Sequence, residues 1–274
     1  MPAVSELASH VAARPLLTEL VDHAALFPPA AMDMEAALAE DGRARASEDA
    51  WLIGRFVCLA SRLDELLAAG PPPPRLSVIL DGELETALGR AAGARERGAR
   101  VEAVEARGAA DAVREGVAAT LGGGVPAYAE GVPPAALPAG VHAKLRCGGE
   151  RPQDVPSAAA VAAFIAECHD HGVAFKATAG LHHPIRHADP ASGGRQHGFL
   201  NFLAAALVAA VDGGDGHRLA EVLELEEPAA VLELLARFDA AAAADVRASL
   251  FHGIGSCSWR EPAGDLRALG VLPA

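Results

Sequence analysis

Eight short apolar runs recur along the 274 residues, most followed by a polar or glycine-rich turn and an alanine-rich stretch of helical character. They predict strands at Leu17–Asp22, Gly54–Leu59, Leu76–Leu80, Arg100–Ala106, Pro126–Glu130, Val141–Leu145, Val173–Lys176 and Leu250–Gly253. Helices are predicted between them at Asp33–Ala46, Leu63–Ala69, Leu84–Arg97, Ala109–Ala119, Ala158–His171, Phe199–Val211 and Pro228–Ala241. Strands that alternate with helices pair in parallel, and eight such units close into a (β/α)8 TIM barrel. The length suits one barrel domain over 1–274. The Pro71–Pro74 run is a stiff surface connector, because the alternation continues on both sides of it.

Two connections depart from the simple pattern. Gly131 to Gly140 is too short and proline-rich for a crossover helix. Thr178 to Ser249 has room for an extra helix and a loop carrying His182, His183, Arg186, His187, Ser192, Gly193, Gly194 and His197. That loop leaves the carboxyl end of strand seven, the face on which active sites of this fold lie, and reads as a lid or substrate clamp.

Hydrophobic residues make up 51% of the chain and aromatic residues only 4%, so Ala, Leu and Val must build the core. The formal charge of −13 repels a phosphate backbone and an anionic lipid surface, which argues against nucleic-acid or membrane partners. The longest apolar run, Phe199 to Val211, is too short to span a bilayer, and Met1 to Arg14 lacks the pattern of a signal peptide. A cytoplasmic protein acting on a small molecule is expected. Barrels of this kind often dimerise, and a homodimer stays open. Cys58, Cys147, Cys168 and Cys257 are scattered without a C-x-x-C pair and suit small core or pocket-lining roles.

Of the 23 basic residues, 21 are arginine and two are lysine, Lys144 and Lys176. Either residue can carry surface charge, but only lysine offers an amine. Both lysines fall at the carboxyl ends of predicted strands, in VHAKLRCGG and VAFKATAG. On adjacent strands two ammonium groups repel, so one is expected to lose its proton near neutrality and attack a carbonyl. The plainer alternative is a pair of ion-pairing lysines.

Acids also end strands: Asp22, Glu102 or Glu105, and Glu130. One facing the lysines would move protons. Alternation allows only one of Glu102 and Glu105 to point inward, and Glu105 lies nearer the carboxyl end. Strand eight runs into FHGIGSCSWREP, where Gly255, Ser256 and Ser258 suggest an anion-receiving turn or a plain barrel closure. His182 and His183 lack helical zinc-site spacing. With His142, His187 and Glu130 they leave a metal site at the barrel mouth open, against substrate binding or loop structure.

In order, these strand ends resemble those of the deoxyribose-phosphate aldolases, class I Schiff-base enzymes. LVDHAALFPPAAMDMEAAL is similar to the family's opening, and FVCLAS to its cysteine-bearing second strand. YAEG, AKLRCGG, FKATAG and GIGSCS match its strand-five glutamate, imine lysine, second lysine and phosphate-holding turn. The resemblance implies that Lys144 forms the imine, that Lys176 lowers its pKa, and that Glu102 or Glu105 takes part in proton transfer. The family's Thr-Ser-Thr-Gly after the imine lysine is here Leu145-Arg146-Cys147-Gly148, and its strand-seven Gly-Gly-Ile-Arg is replaced by Thr178 to Arg186. A shared fold with a different substrate is therefore expected.

The resulting expectation is a cofactor-independent, aldolase-like lyase. Lys144, Lys176, Glu105, Glu130 and Asp22 do the chemistry. Arg146, His182, His183, Arg186, Gly255, Ser256 and Ser258 hold an anionic or phosphorylated carbonyl substrate, and no metal takes part. The alternatives are a metal-dependent lyase or isomerase with a His/Glu site, and a non-catalytic barrel used for binding.

Overall fold

The computed structural model describes residues 8–149, 151–189 and 193–273, so Ser192 lies outside the described residues. Eight parallel strands close into one barrel: β1 Val21–His23, β2 Ile53–Leu59, β3 Leu76–Ile79, β4 Val101–Arg107, β5 Ala127–Glu130, β6 Val141–Arg146, β7 Phe175–Thr178 and β8 Phe251–Ser256. Each pairs with its neighbour in sequence, and β8 closes on β1. This is the α/β barrel expected from the alternating pattern. No helix among the described residues is long and apolar enough to cross a membrane.

Several boundaries differ from the expectation, each for a local reason. β1 starts at Val21, because Leu17 ends a short helix, Ala13–Leu17, and Glu19 turns the chain at positive φ. β8 continues to Ser256; its glycines at 253 and 255 weaken the strand signal, yet both pair with β7. The single helix expected over Pro228–Ala241 is two, Pro228–Leu235 and Ala240–Ser249. The second starts where the Asp239 side chain accepts the Ala242 N–H at 2.8 Å. After Phe199–Leu207 the chain widens into a π turn, Val208–Asp212, and a further helix, Gly216–Leu223, follows. The connection before β6 holds one 3-10 turn, Pro134–Ala136.

Alanine lets the outer helices sit close on the barrel, and the few aromatic rings are concentrated where β7 and β8 meet it. Phe175 stacks on Phe251 at 4.9 Å, and Phe164 and Phe202, from two covering helices, pack on this pair. These rings face outward, so by strand alternation the neighbouring Lys176 faces the barrel interior. Asn201, fully buried, ties the strand-seven loop to the helices. Its Oδ1 accepts the Arg186 N–H, and its Nδ2 donates to the carbonyls of Val222 and Leu225.

Candidate active site

Strand register sets the lysines side by side. Lys144 on β6 pairs with Lys176 on β7 and, on its other flank, with Glu130 on β5. Alternation carries Glu105 of β4 onto the same inner surface. Lys176 Nζ donates to Asp22 Oδ2 at 2.6 Å and to Glu105 Oε1 at 2.7 Å. Lys144 Nζ lies 3.0 Å from Glu105 Oε2 and 3.1 Å from Glu130 Oε2. Arg107, one inward position beyond Glu105, donates to Glu130 Oε1 at 2.8 Å. At the far end Asp22 Oδ1 accepts the backbone N–H of Arg55 at 2.7 Å. The result is an alternating chain of charge across the barrel: Asp22, Lys176, Glu105, Lys144, Glu130, Arg107.

Burial grades this chain from floor to mouth. The Glu105 side chain is 1% exposed and that of Lys176 3%, whereas Lys144 is 9% and Glu130 12% exposed. Desolvation alone would neutralise Glu105, but the two ammonium groups and the Ser77 hydroxyl hold its carboxyl well below the usual carboxylate range. Burial also opposes charge on Lys176, yet Asp22 and Glu105 outweigh it and raise the lysine above its ordinary value. Glu130 is lowered against its burial by Lys144 and Arg107. Of the two lysines, Lys176 is therefore not the one that gives up its proton near neutrality. A carboxylate stands between the two ammonium groups, so Lys176 remains charged.

Glu102, the other acid considered on β4, is held near the start of the strand by Arg75 at 2.7 Å and Arg100 at 2.9 Å. It has no contact with either lysine among its ion pairs.

Sequence reasoning missed several residues that build the cluster. Ser77 Oγ, fully buried, donates to Glu105 Oε1 at 2.7 Å, and the only hint was a lone hydroxyl in the apolar run LSVIL. Gly54 makes room for Asp22, since a Cβ there would sit 2.5 Å from Asp22 Oδ1. Beneath the cluster the Tyr128 ring lies 5.5 Å from Lys176 Nζ, and its hydroxyl meets His252 Nδ1 at 2.8 Å. His142 packs edge-on against His252, their ring centres 4.8 Å apart. Burial pushes Tyr128 up to about 12 and His252 down to about 4, so this layer is neutral at physiological pH.

The expected substrate-holding residues are dispersed. Arg146 follows Lys144 by two positions on β6; its Nε donates to the Gly148 carbonyl at 3.1 Å, and the side chain is otherwise exposed. His182 Nδ1 lies 3.0 Å from Glu261 and 3.3 Å from Ser256 Oγ. His183 pairs with Asp265 of the last helix at 2.6 Å, and Arg186 reaches His197 and Glu226. Ser256 Oγ donates to the Ser258 carbonyl at 2.7 Å, and Ser258 Oγ accepts the Glu261 N–H at 3.3 Å, so the turn engages the Ser256 donor within itself. Gly255 stands level with Thr178 on β7.

Of the histidines in the candidate metal set, His142 goes to the barrel floor and His182 to Glu261, while His183, paired with Asp265, packs ring to ring with His187 at 4.5 Å. Among the described residues no group of three or more His, Cys, Asp or Glu side chains gathers in a metal-holding arrangement. The four cysteines are buried and unbridged, and burial raises each thiol, that of Cys58 to about 12.

Two clefts lie apart from the lysines. One of about 620 Å³ opens between helices Ala158–Asp170 and Ala240–Ser249, and one of about 380 Å³ between His183, His187, Pro228 and Asp265. Fold and site together define an α/β barrel with a lysine–carboxylate chain at the carboxyl ends of its strands. No family model, curated protein or solved structure matches this chain.

Proposed function

We propose that the barrel is an aldolase-like carbon–carbon lyase that works through an imine on Lys144, with a small anionic carbonyl compound as substrate. The observation that carries this reading is the position of Lys144 Nζ between Glu105 and Glu130, nearer the mouth than the fully charged Lys176.

To attack a carbonyl, the Lys144 ammonium must first give up a proton. Glu105 is sealed in and already serves Lys176 and Ser77, so Glu130 is the acceptor able to exchange with solvent. The neutral amine adds to the carbonyl carbon. Glu130 returns its proton to the carbinolamine oxygen, and water leaves with the formation of a protonated imine. That iminium has the same charge as the ammonium it replaces, so Glu105 and Glu130 regain a cationic partner at this position once it forms. The iminium then accepts the electron pair released when the neighbouring C–C or C–H bond breaks. Lys176 contributes by pairing with Glu105, which leaves Glu130 to serve the Lys144 amine.

The test is borohydride trapping with small aldehydes, ketones and sugar phosphates, read by peptide mass spectrometry. A reduced adduct on Lys144, lost in Lys144→Arg with the fold intact, supports the reading. Lyase activity that survives in Lys144→Arg overturns it.

A further inference from the structure

The structure points to an anion subsite directly above the amine, and we infer that it takes the carboxylate of a short-chain oxo acid, not a phosphate; this substrate class rests on the imine reading above. Arg146 lies two residues beyond Lys144 on the same strand, so alternation puts both side chains on the inner surface, with their Cα atoms roughly 7 Å apart. Among the described residues Arg146 hydrogen-bonds only through Nε, to the Gly148 carbonyl, and its terminal nitrogens, within the field of the Asp154 carboxylate, make no hydrogen bond. Arg107, two residues beyond Glu105, is level with Glu130 and Lys144 and lends one nitrogen to Glu130, so a second cation borders the subsite from below. Thr178 stands level with Arg146 on β7 and faces Gly255, which has no side chain to fill the space. A Cβ at 255 would come within 3.1 Å of the Thr178 methyl group.

The place where a phosphate would be sought is unsuited to one. The Ser256 hydroxyl already donates to the Ser258 carbonyl within the turn, and the Glu261 carboxylate sits beside it, 3.0 Å from His182. A dianion there would meet a fixed negative charge. The guanidinium of Arg146 instead offers the paired, coplanar donors that a carboxylate accepts. A rise of two residues separates the Cα atoms of Arg146 and Lys144, a spacing that suits a carboxylate a few carbons from the carbonyl.

The experiment compares calorimetric binding of 4-oxopentanoate, pentanoate and inorganic phosphate to the wild type and Arg146→Gln, with borohydride trapping alongside. Expected are binding of both carboxylates to the wild type, at least tenfold weakened in Arg146→Gln, and a Lys144 adduct from 4-oxopentanoate in preference to uncharged 2-pentanone. If pentanoate binds in an Arg146-dependent way but no adduct forms with either ketone, the imine reading fails and the carboxylate subsite stands. Absence of pentanoate binding, equal binding by Arg146→Gln, or tighter binding of phosphate overturns the subsite, even where 2-pentanone labels Lys144.

Discussion

Lys144 and Lys176 divide one carboxylate between them: Glu105 Oε2 lies 3.0 Å from Lys144 Nζ, and Oε1 accepts from Lys176 Nζ at 2.7 Å. The lysines are register partners on β6 and β7, a position in which two ammonium groups would repel strongly with nothing between them. The charge they share is more buried than either of them. Glu105 is thus the group on which the geometry of both amines depends.

Replacing it with the isosteric amide, Glu105→Gln, removes that charge and leaves Lys176 with Asp22 alone. Withdrawing one partner of a buried ion pair is expected to cost about 3 kcal/mol at pH 7. In the wild type the folded-state value of Lys176 is raised, so its contribution is complete below the ordinary lysine value of 10.5 and is lost only as pH rises beyond it. In the variant the proton is held less tightly, so the deficit should stay level up to about pH 10.5 and shrink only as pH rises beyond it. Urea unfolding at pH 7 to 11.5 measures this; a deficit that stays the same above pH 10.5 would mean that the charge of Glu105 is not what stabilises the cluster.

The barrel floor predicts a loss of stability in mild acid. His252 Nε2 can only donate to the Ala248 carbonyl, at 3.2 Å, so in the neutral ring Nδ1 accepts from the Tyr128 hydroxyl. Burial, then His142, Arg247 and Arg55, oppose a charge on the ring and bring it from 6.5 down to about 4. The unfolded chain therefore takes up a proton between pH 6.5 and 4 that the folded chain does not. Stability should fall across that window, by up to about 3 kcal/mol from this residue. His252→Gln should flatten the slope of urea midpoint against pH relative to the wild type. A slope unchanged by the substitution would place the acid sensitivity elsewhere.

The parts of this site that could be read from sequence are those that announce themselves by residue type. Two lysines beside 21 arginines, both at strand ends, marked the amines; alternation let only one of Glu102 and Glu105 face inward, and nearness to the carboxyl end of the strand favoured Glu105. The supporting residues carry no such signal. Ser77 and Gly54 matter through what stands opposite them in the register, and Tyr128 meets His252 across 124 positions of chain. The break between Leu235 and Ala240 was hidden in an alanine-rich run that propagates a helix equally well on either side of the Asp239 cap. The strand-eight turn has the composition of an anion cradle, and only its hydrogen bonds reveal that the Ser256 hydroxyl is turned onto the Ser258 carbonyl.

Arg247 closes the amino-terminal end of the barrel. Its guanidinium donates to the carbonyls of Leu16, Thr18, Phe251 and His252 at 2.5, 3.0, 2.9 and 2.9 Å, joining the chain ahead of β1 to the start of β8. Burial lowers it to about 10, so it remains charged at neutral pH. Arg247→Met keeps the length of the side chain but orphans several of these carbonyls, and about 3 kcal/mol of stability should be lost. A loss below about 1 kcal/mol by urea unfolding would show that water or neighbouring donors satisfy the carbonyls instead.

Gly54→Ala tests whether the cluster depends on a single absent side chain. The added methyl group would sit 2.5 Å from Asp22 Oδ1 and 3.1 Å from the Glu19 carbonyl. Asp22 cannot retreat freely, because Oδ1 accepts the Arg55 N–H and Oδ2 holds Lys176. Rotation of the carboxylate would weaken both bonds, and overpacking of this kind costs about 2 kcal/mol. Gly42 is the matching control: it lies within the helix Met34–Ala46, and an added methyl group there would meet nothing within 4 Å, so Gly42→Ala should stabilise by about 0.5–1 kcal/mol. Beyond stability, Gly54→Ala should free the Lys176 amine to react with an acylating reagent at lower pH than in the wild type. If Gly54→Ala is destabilised while Lys176 keeps its wild-type reactivity, Asp22 adapts to the methyl group without releasing the lysine, and the ion-pair chain is held chiefly by Glu105.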